Sequence, residues 1–492
     1  KKKSLPLGSS VWEQIVKNFD FIVQDPPLSL IQKLSHIQGK NVDGITMVFW
    51  KDKLIEIEEG DTTDSAYGIA IDIGTTTVAA YFYELITGRR IGIYSALNGQ
   101  VVAGGDVITR IVECMNNANG LETLQNYIVK TINQLIEEAV KEHKINKNHI
   151  YAIDICGNSA MQHLFLGINP ENLGRVPFTS VVKSKVTAQA KQLNLNINPR
   201  GIINFLPLIG GFVGADTTAV LLSLGDEDMD KMRLIIDLGT NGEIVLGNKE
   251  KMLAASTAAG PALEGAGIQC GMRGTNGAIE RVKLSNGDIE FEVIMNEKPL
   301  GICGSGLIDA IAEMLKVGII NDRGKILTRD EFLGVCKPEY KGFADHLVRH
   351  QDMNVFVLVE ESKSQSGNKI FLSQKDIRAV QLAKGAIYTG CMLLLKEFGI
   401  KGEDLDEILI AGAFGNYIDI EKGQSIGLLP YYKNVPIKSI GNAAGAGVQR
   451  FLLSRQIQES TKDLIKNIQH VELASNPSFD QEYFKNVNFP KL

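Results

Sequence analysis

Short apolar runs alternate with longer amphipathic segments along most of this 492-residue chain. The short runs predict β-strands, and they lie at 68–73, 78–83, 151–155, 202–206, 233–237, 243–247 and 407–411. The longer segments predict helices, and they lie at 121–143, 159–166, 215–224, 304–317, 374–399 and 442–457. This alternation is typical of an α/β architecture in which helices cover the sheets.

The first 65 residues follow a different pattern. Apolar clusters there predict two short helices and one β-hairpin, at 11–19, 28–34, 45–50 and 54–57. The hairpin turns at Lys51-Asp52-Lys53, and the polar run from Glu58 to Ser65 marks a boundary. A small N-terminal α+β domain, residues 1–65, is therefore expected to precede the α/β part.

One pattern occurs twice in the α/β part. An apolar strand, an Asp-x-Gly-Thr turn and a second apolar strand begin at Gly68 and again at Arg233. The two aspartates, Asp72 and Asp237, are separated by about the length of a domain. A repeated α/β unit of this size predicts two similar lobes that face each other.

Each Asp-x-Gly-Thr turn offers groups that suit a phosphate. Glycine lets the backbone turn sharply and approach a ligand closely, and exposed N–H groups with neighbouring hydroxyls form an anion-binding nest. The carboxylates of Asp72 and Asp237 would hold Mg²⁺ through water. A single such turn is also compatible with an ordinary hairpin, and the duplication favours phosphate binding. The residues that would contact phosphate are Gly74, Thr75, Thr76, Thr77, Gly239, Thr240, Asn241 and Gly242.

Three further segments carry candidate site residues. Asp216 begins the predicted helix 215–224, where it would orient or deprotonate an attacking water or act only as a favourable residue at a helix start. Glu264 lies in a glycine-rich loop that would close over phosphates near the metal, or simply be a mobile surface loop. Gly412, Ala413 and Phe414 follow a predicted strand, where small residues would admit adenosine or form a tight turn.

Composition argues against several classes of function and location. The net charge of −6 argues against nucleic acid or an anionic membrane as the main partner. No apolar run reaches the roughly 20 residues needed to cross a bilayer, and no secretory signal follows the lysines at the start. Six scattered cysteines without a CxxC pair indicate a reducing cytoplasm. The chain does not begin with Met, so a fragment of a longer protein is expected.

Taken in order along the chain, these motifs resemble the ATPases of the actin, sugar-kinase and heat-shock-chaperone superfamily. The resemblance implies two ribonuclease-H-like lobes that close over Mg-ATP. It implies phosphate loops at 72–77 and 237–243, interlobe helices at 214–224 and 442–457, and an adenosine loop at 408–415. Gln381 and Lys384, on the helix before that loop, become candidate adenosine or ribose contacts.

A closer resemblance is carried by Ala70-Ile-Asp-Ile-Gly-Thr-Thr-Thr-Val, Gly157-Asn-Ser-Ala-Met-Gln-His-Leu-Phe-Leu-Gly, Gly260-Pro-Ala-Leu-Glu-Gly and Ala411-Gly-Ala-Phe-Gly-Asn. These segments resemble the reductive activators of corrinoid proteins, which serve anaerobic methyl transfer and O-demethylation. The family uses ATP to return an inactive Co(II) corrinoid to Co(I). The resemblance implies a corrinoid protein as partner and a homodimer.

The family comparison also implies a division of the chain. Residues 1–65 would be the middle or linker domain, and residues 66–492 the actin-like ATPase domain. Within it, lobe one would run over 66–230, lobe two over 231–440, and a closing helix and tail over 441–492.

One departure from the family is important. Its members carry an N-terminal [2Fe–2S] domain with a C-x4-C-x2-C…C spacing of ligands, and no such spacing occurs here. The sequence is therefore interpreted as the ATPase part, which needs an electron donor such as a ferredoxin domain.

Three rival functions share the fold. A small-molecule kinase would phosphorylate an acceptor, and a chaperone-type ATPase would respond to unfolded peptide. An activator of 2-hydroxyacyl-CoA dehydratases would hold a [4Fe–4S] cluster, for which the candidates are Cys114, Cys156, Cys270 and Cys303.

Overall fold

The structure is a computed structural model of the chain. It describes residues 10–16, 26–38, 40, 44–225, 229–412, 415, 417–473 and 476–491. The predicted contacts Ala413 and Phe414, and part of the helix predicted at 11–19, lie outside the described residues. Among the described helices, none has the length and apolar character that crossing a bilayer requires.

The N-terminal unit is a small α+β assembly. It contains helices α1 and α2 and an antiparallel pair of strands, β1 and β2, at Val11–Val16, Leu28–Gln38, Ile45–Trp50 and Lys53–Glu59. Its apolar core joins one face of α2 to the hairpin. Buried Glu56 fastens it to the α/β part, accepting hydrogen bonds from Asn198 Nδ2 at 3.0 Å and Arg200 Nη2 at 2.5 Å. The hairpin expected around Lys51–Lys53 is confirmed.

The first large sheet has six strands in the order β5-β4-β3-β6-β8-β7. They are β3 Tyr67–Ile73, β4 Thr77–Glu84, β5 Arg89–Leu97, β6 Ile150–Gly157, β7 Val186–Gln189 and β8 Ile202–Phe205. The first three form an antiparallel meander, and β6 then pairs in parallel with β3. Four helices belong to this half of the molecule: α3 Val107–Asn116, α4 Gly120–His143, α5 Ser159–Leu166 and α6 Ala215–Ser223.

The second large sheet repeats this arrangement. Its order is β19-β18-β9-β10-β11-β20, with an antiparallel meander β9-β10-β11 and a strand, β18, parallel to the first of them. The strands are β9 Arg233–Leu238, β10 Gly242–Gly247, β11 Met252–Thr257, β18 Glu407–Ala411, β19 Ile437–Gly441 and β20 Ile468–His470. The predicted duplication is thus visible as two sheets with the same order of core strands, as in the actin-like fold.

Two small three-stranded sheets are inserted between β11 and β18. They consist of β12 Ala278–Ser285, β13 Asp288–Val293 and β14 Gly301–Ile302, and of β15 Leu347–His350, β16 Met353–Val359 and β17 Ile370–Ser373. Seven α-helices complete the described part of the chain: α7 Gly304–Lys316, α8 Arg329–Val335, α9 Gln374–Phe398, α10 Ile420–Ser425, α11 Ala443–Leu453, α12 Arg455–Lys466 and α13 Phe479–Asn486. The single helix expected at 442–457 is therefore wrong in its extent, because Ser454 ends α11 and caps α12.

Helices α6 and α11 cross between the two sheets. A Cβ placed on Gly447 would lie 1.7 Å from the carbonyl oxygen of Ala219, so the two backbones are in direct contact. Arg450 Nη1 donates to the carbonyls of Leu222 and Ser223 at 2.9 Å and so satisfies the end of α6. Since α6 contributes apolar residues to the cores beneath both sheets, this crossing joins the two halves.

Candidate functional site

The first Asp-x-Gly-Thr turn connects β3 to β4. Asp72 is the next-to-last residue of β3, and the N–H of Gly74 donates to the carbonyl of Thr77 at 3.0 Å to close the turn. A Cβ on Gly74 would approach that carbonyl to 2.7 Å. The turn therefore requires glycine at this position, and it holds three threonines at the mouth of the hairpin.

The second turn connects β9 to β10 in the same way. Asp237 lies near the end of β9, and the N–H of Gly239 donates to the carbonyl of Asn241 at 3.1 Å. The hydroxyl of Thr240 donates to Glu264 Oε1 at 2.9 Å. The glycine-rich loop that carries Glu264 is thus tied to the second turn.

A cavity of about 390 Å³ lies between the two turns. It is lined by residues from both sheets, from the start of α6 and from the end of β18: Asp72, Gly74, Thr75, Thr76, Thr77, Asp216, Asp237, Gly239, Thr240, Asn241, Glu264 and Gly412. Its volume is within the range of small-molecule sites. Both turns, which are far apart in sequence, therefore face one cavity, as two facing lobes require.

Five carboxylates line this cavity, those of Asp72, Asp216, Asp237, Glu243 and Glu264. Burial, followed by repulsion from Asp216, raises the pKa of Asp72 and of Asp237 to about 7. Burial raises the pKa of Asp216 to about 6, and burial with repulsion from Asp216 and Asp237 raises the pKa of Glu243 well above 4.5. Carboxylates buried so close together are stabilised by binding protons or a cation.

The cluster fits a hydrated magnesium ion. In the described part of the chain, no three His, Cys, Asp or Glu side chains converge closely enough to hold a metal directly. Mg²⁺ keeps several of its waters and is usually bound by one or two carboxylates and by substrate phosphates. Asp72 and Asp237, which face the cavity from the two turns, form a donor set of that kind.

Three polar residues that line the cavity were not singled out from the sequence. They are Asn158, Glu243 and Asn442. Asn158 caps α5 by accepting from the N–H of Met161 at 2.9 Å, and its Nδ2 donates to the Thr75 hydroxyl at 3.1 Å. Asn158 stands in the Gly157-Asn-Ser segment, so the residue was visible, but its reach to the first turn depends on the pairing of β3 with β6.

Gln381 and Lys384 do not line the cavity. Lys384 is buried and donates to the carbonyl of Asn486 at 2.6 Å, and also to that of Asn488. Gln381 packs against Gly324. The expectation that they contact adenosine finds no support in the described contacts, because the C-terminal segment takes the face of α9 that carries Lys384.

The candidate cluster cysteines lie in separate surroundings. Cys156 donates to Asp72 at 3.7 Å, Cys303 to the carbonyl of Ile279 at 3.3 Å, and Cys270 to that of Lys369 at 3.7 Å. Cys114 lies on α3. All are free thiols. Because these four side chains do not converge, they do not form an iron–sulfur site within the described residues.

The carboxylates Asp72 and Asp237 should make stability depend on pH. Their pKa rises from 3.8 in the unfolded chain to about 7 in the folded protein. Between these values the folded state binds more protons, so the free energy of unfolding falls as pH rises. Their stabilising contribution is complete below about pH 4 and is lost as pH rises to about 7.

Thermal unfolding of the nucleotide-free protein between about pH 5 and pH 8 measures this effect. The D72N/D237N double variant is expected to be more stable than the wild type at pH 8 and to show a weaker pH dependence. Mg²⁺ should raise the Tm of the wild type by several degrees and leave that of the variant unchanged. Equal stabilisation of both proteins by Mg²⁺ would place the ion elsewhere.

Comparison with known families covers nearly the whole α/β part. Residues 67–231 match the family described as the RACo middle region, and residues 231–492 match the C-terminal domain of RACo, the ASKHA domain. The region that the family calls middle thus spans the first large sheet and starts after the N-terminal unit.

Comparison with individual proteins points to the same family. The corrinoid activation enzyme RamQ of Eubacterium limosum is 44% identical over 469 residues, which are 95% of this chain and 78% of RamQ. The [Co(II) methylated amine-specific corrinoid protein] reductase of Methanosarcina barkeri is 25% identical over 86% of this chain and 77% of its own.

A solved structure is similar over almost the entire length. The reductive activator for corrinoid,iron-sulfur protein superposes with a TM-score of 0.85 at 32% identity, covering 98% of this chain and 76% of that one. Together with the family matches and the 44% identity to RamQ, this shows that the chain belongs to the family of reductive activators of corrinoid proteins.

Proposed function

We propose that this chain is the ATPase part of an enzyme that activates a corrinoid protein by supporting reduction of Co(II) to Co(I). The observation that carries the proposal is the cavity between the two Asp-x-Gly-Thr turns, in a chain whose relatives are named for corrinoid activation and reduction. One electron enters at cobalt and no bond to the corrinoid ring changes, so ATP serves to drive the step.

The cavity residues are assigned roles in ATP hydrolysis. The turns at 72–77 and 237–243 would bind phosphate oxygens through backbone N–H groups and hydroxyls. Asp72 and Asp237 would hold a hydrated Mg²⁺, which neutralises charge on the phosphates when bound. Asp216 would orient or deprotonate the attacking water, and Gly412 would border the adenosine.

Coupling to the corrinoid protein requires a change of conformation. Binding of ATP to both turns would draw the two halves together about the α6–α11 crossing. Closure affects the partner only if its affinity differs between the two conformations. Hydrolysis would then reopen the cavity and release the reduced corrinoid protein.

The electron would come from another centre. The described cysteines form no cluster site, so the donor is proposed to be a [2Fe–2S] ferredoxin domain or protein. We also propose a homodimer, as in the family, and a cytoplasmic location, with which six free thiols are compatible. The division at residues 66, 231 and 441 remains a prediction.

The test is ATP hydrolysis and partner lifetime measured together. ATP is expected to change the dissociation rate of a Co(II) corrinoid protein at least about fivefold, the scale of an ordinary coupling energy. The partner should in turn raise phosphate release. An unchanged dissociation rate would contradict the coupling.

The same assay separates the rival functions. The proposed activity releases one inorganic phosphate for each ADP. A small-molecule kinase would instead release ADP and transfer the phosphate to an acceptor. A chaperone-type ATPase would be stimulated by unfolded peptide and not by the corrinoid protein.

A further inference from the structure

Arg110 is a fully buried arginine on α3, on the side of the helix that faces the first turn. Its guanidinium donates to the carbonyl of Gly104 at 2.9 Å, to Gln100 Oε1 at 3.0 Å and to the carbonyl of Thr75 at 2.5 Å. It forms no ion pair with any described carboxylate. Asp106, at the N-cap of α3, attracts the guanidinium without forming an ion pair with it. Burying a cation without such a pair is costly, so its position calls for an explanation.

Asn98 also donates hydrogen bonds to the carbonyls of the first turn. Its Nδ2 donates to the carbonyl of Gly74 at 2.9 Å, and its backbone N–H donates to the carbonyl of Thr76 at 2.9 Å. Its Oδ1 accepts from the N–H of Gln100, so the side chain is fixed from both ends. With the bond from Arg110, three consecutive carbonyls of the first turn, at residues 74, 75 and 76, are held from behind.

These hydrogen bonds fix the direction in which the N–H groups of the first turn point. In a trans peptide the N–H points away from the carbonyl of the preceding residue. Holding the carbonyls of residues 74 and 75 therefore turns the N–H groups of Thr75 and Thr76 towards the other side. Both residues line the cavity, and neither N–H has an acceptor among the described residues. Consecutive N–H groups directed into a cavity form an anion site.

The charges around the two turns also indicate that an anion binds at the first turn. Burial lowers the pKa of Arg110 to about 10, so the guanidinium remains positive at neutral pH. The described surroundings of the second turn differ, because there Thr240 is bonded to the carboxylate Glu264. A positive charge thus lies behind the first turn, next to a cavity whose lining includes five carboxylates.

We infer that Arg110 and Asn98 are positioning residues for the phosphates of ATP. They direct the N–H groups of the first turn into the cavity and place a fixed positive charge behind it, without touching the nucleotide. The inference rests on the proposed function, since it assumes that ATP occupies this cavity.

The test compares R110M with a matched control. Methionine keeps an unbranched side chain in the buried space and removes the charge and donors. The Kd for Mg-ATP is expected to rise about 10- to 100-fold, the scale of hydrogen bonds to charged groups. The kcat at saturating ATP should fall less than about fivefold. Amides of the first turn should exchange hydrogen faster, and R110K should recover part of the affinity.

The control is R233M. Arg233 is also a buried arginine, paired with Glu407 at 2.7 Å, and it lies on β9 about 13 Å along the strand from Asp237. Its replacement should lower the Tm and leave the Kd for Mg-ATP unchanged. If R110M is insoluble, N98D replaces it, because that change converts the donor to the Gly74 carbonyl into an acceptor at constant size.

The outcomes are distinct. Wild-type affinity and hydrogen exchange in folded R110M would overturn the positioning role and leave the ATP site intact. A Kd that changes equally in R110M and R233M would show a general loss of structure and would also overturn it. Failure of the wild type itself to bind Mg-ATP would contradict the proposed function.

Discussion

D216N is expected to lower the kcat for ATP hydrolysis by about 100- to 1,000-fold, within the range of general acid–base contributions, with Mg-ATP binding retained. Asp216 lies in the first turn of α6 at the cavity, and its Oδ1 accepts from the N–H of Thr217 at 2.8 Å. A pKa of about 6 leaves it ionised yet basic near neutral pH. The asparagine keeps the shape and removes the base.

Phosphate release and nucleotide binding must be measured on the same preparation. The matched control is D154N, since Asp154 is a buried carboxyl with a pKa raised to about 7 by burial, bonded to Asn204 at 2.7 Å and outside the cavity. It should turn over at the wild-type rate. Wild-type turnover in D216N would remove Asp216 from catalysis.

G447A is expected to lower the free energy of unfolding by about 3 kcal/mol or more, at the upper end of overpacking effects. The added methyl group would lie 1.7 Å from the Ala219 carbonyl oxygen, which is backbone and cannot rotate away. Helices α6 and α11 must therefore move apart. Thermal and denaturant unfolding measure the loss, and ATP turnover should fall with it.

A second helical glycine provides the control. Gly334 lies in α8, and a Cβ there would meet nothing within 4 Å. G334A should raise stability by about 0.5–1 kcal/mol, because alanine loses less conformational entropy in a helix. Equal stability of G447A and wild type would mean that the two helices are not in close contact.

The parts of the site that could be predicted are those encoded locally. Asp72 and Asp237 were recognisable because strand, turn and strand are contiguous in sequence, and the repetition indicated that they face each other. Asp216 and Glu264 were recognisable from neighbouring glycines. All four line the cavity, although their chemical roles remain predictions.

The parts that were missed depend on contacts between distant segments. Arg110 reaches Thr75 across 35 residues, and nothing in the α3 sequence separates it from a surface arginine. The surroundings of Lys384 were not foreseen for the same reason, since its partners at 486 and 488 come from the far end of the chain. The strands β12–β17 were not predicted, and neither were β5, β7, β11, β19 and β20 of the large sheets, because most of them have short or interrupted apolar runs.

The contact between Gly447 and Ala219 restricts how the molecule can move. Because the backbones of α6 and α11 are in direct contact here, the helices can rotate against each other but cannot slide past each other without a collision. The closure that we propose would therefore follow an arc about this crossing. Asp216 lies three residues from Ala219, about 4.5 Å along the helix axis, and so would move little during this rotation. The proposed catalytic residue would thus stay near the axis of rotation, while groups farther from the crossing would move further.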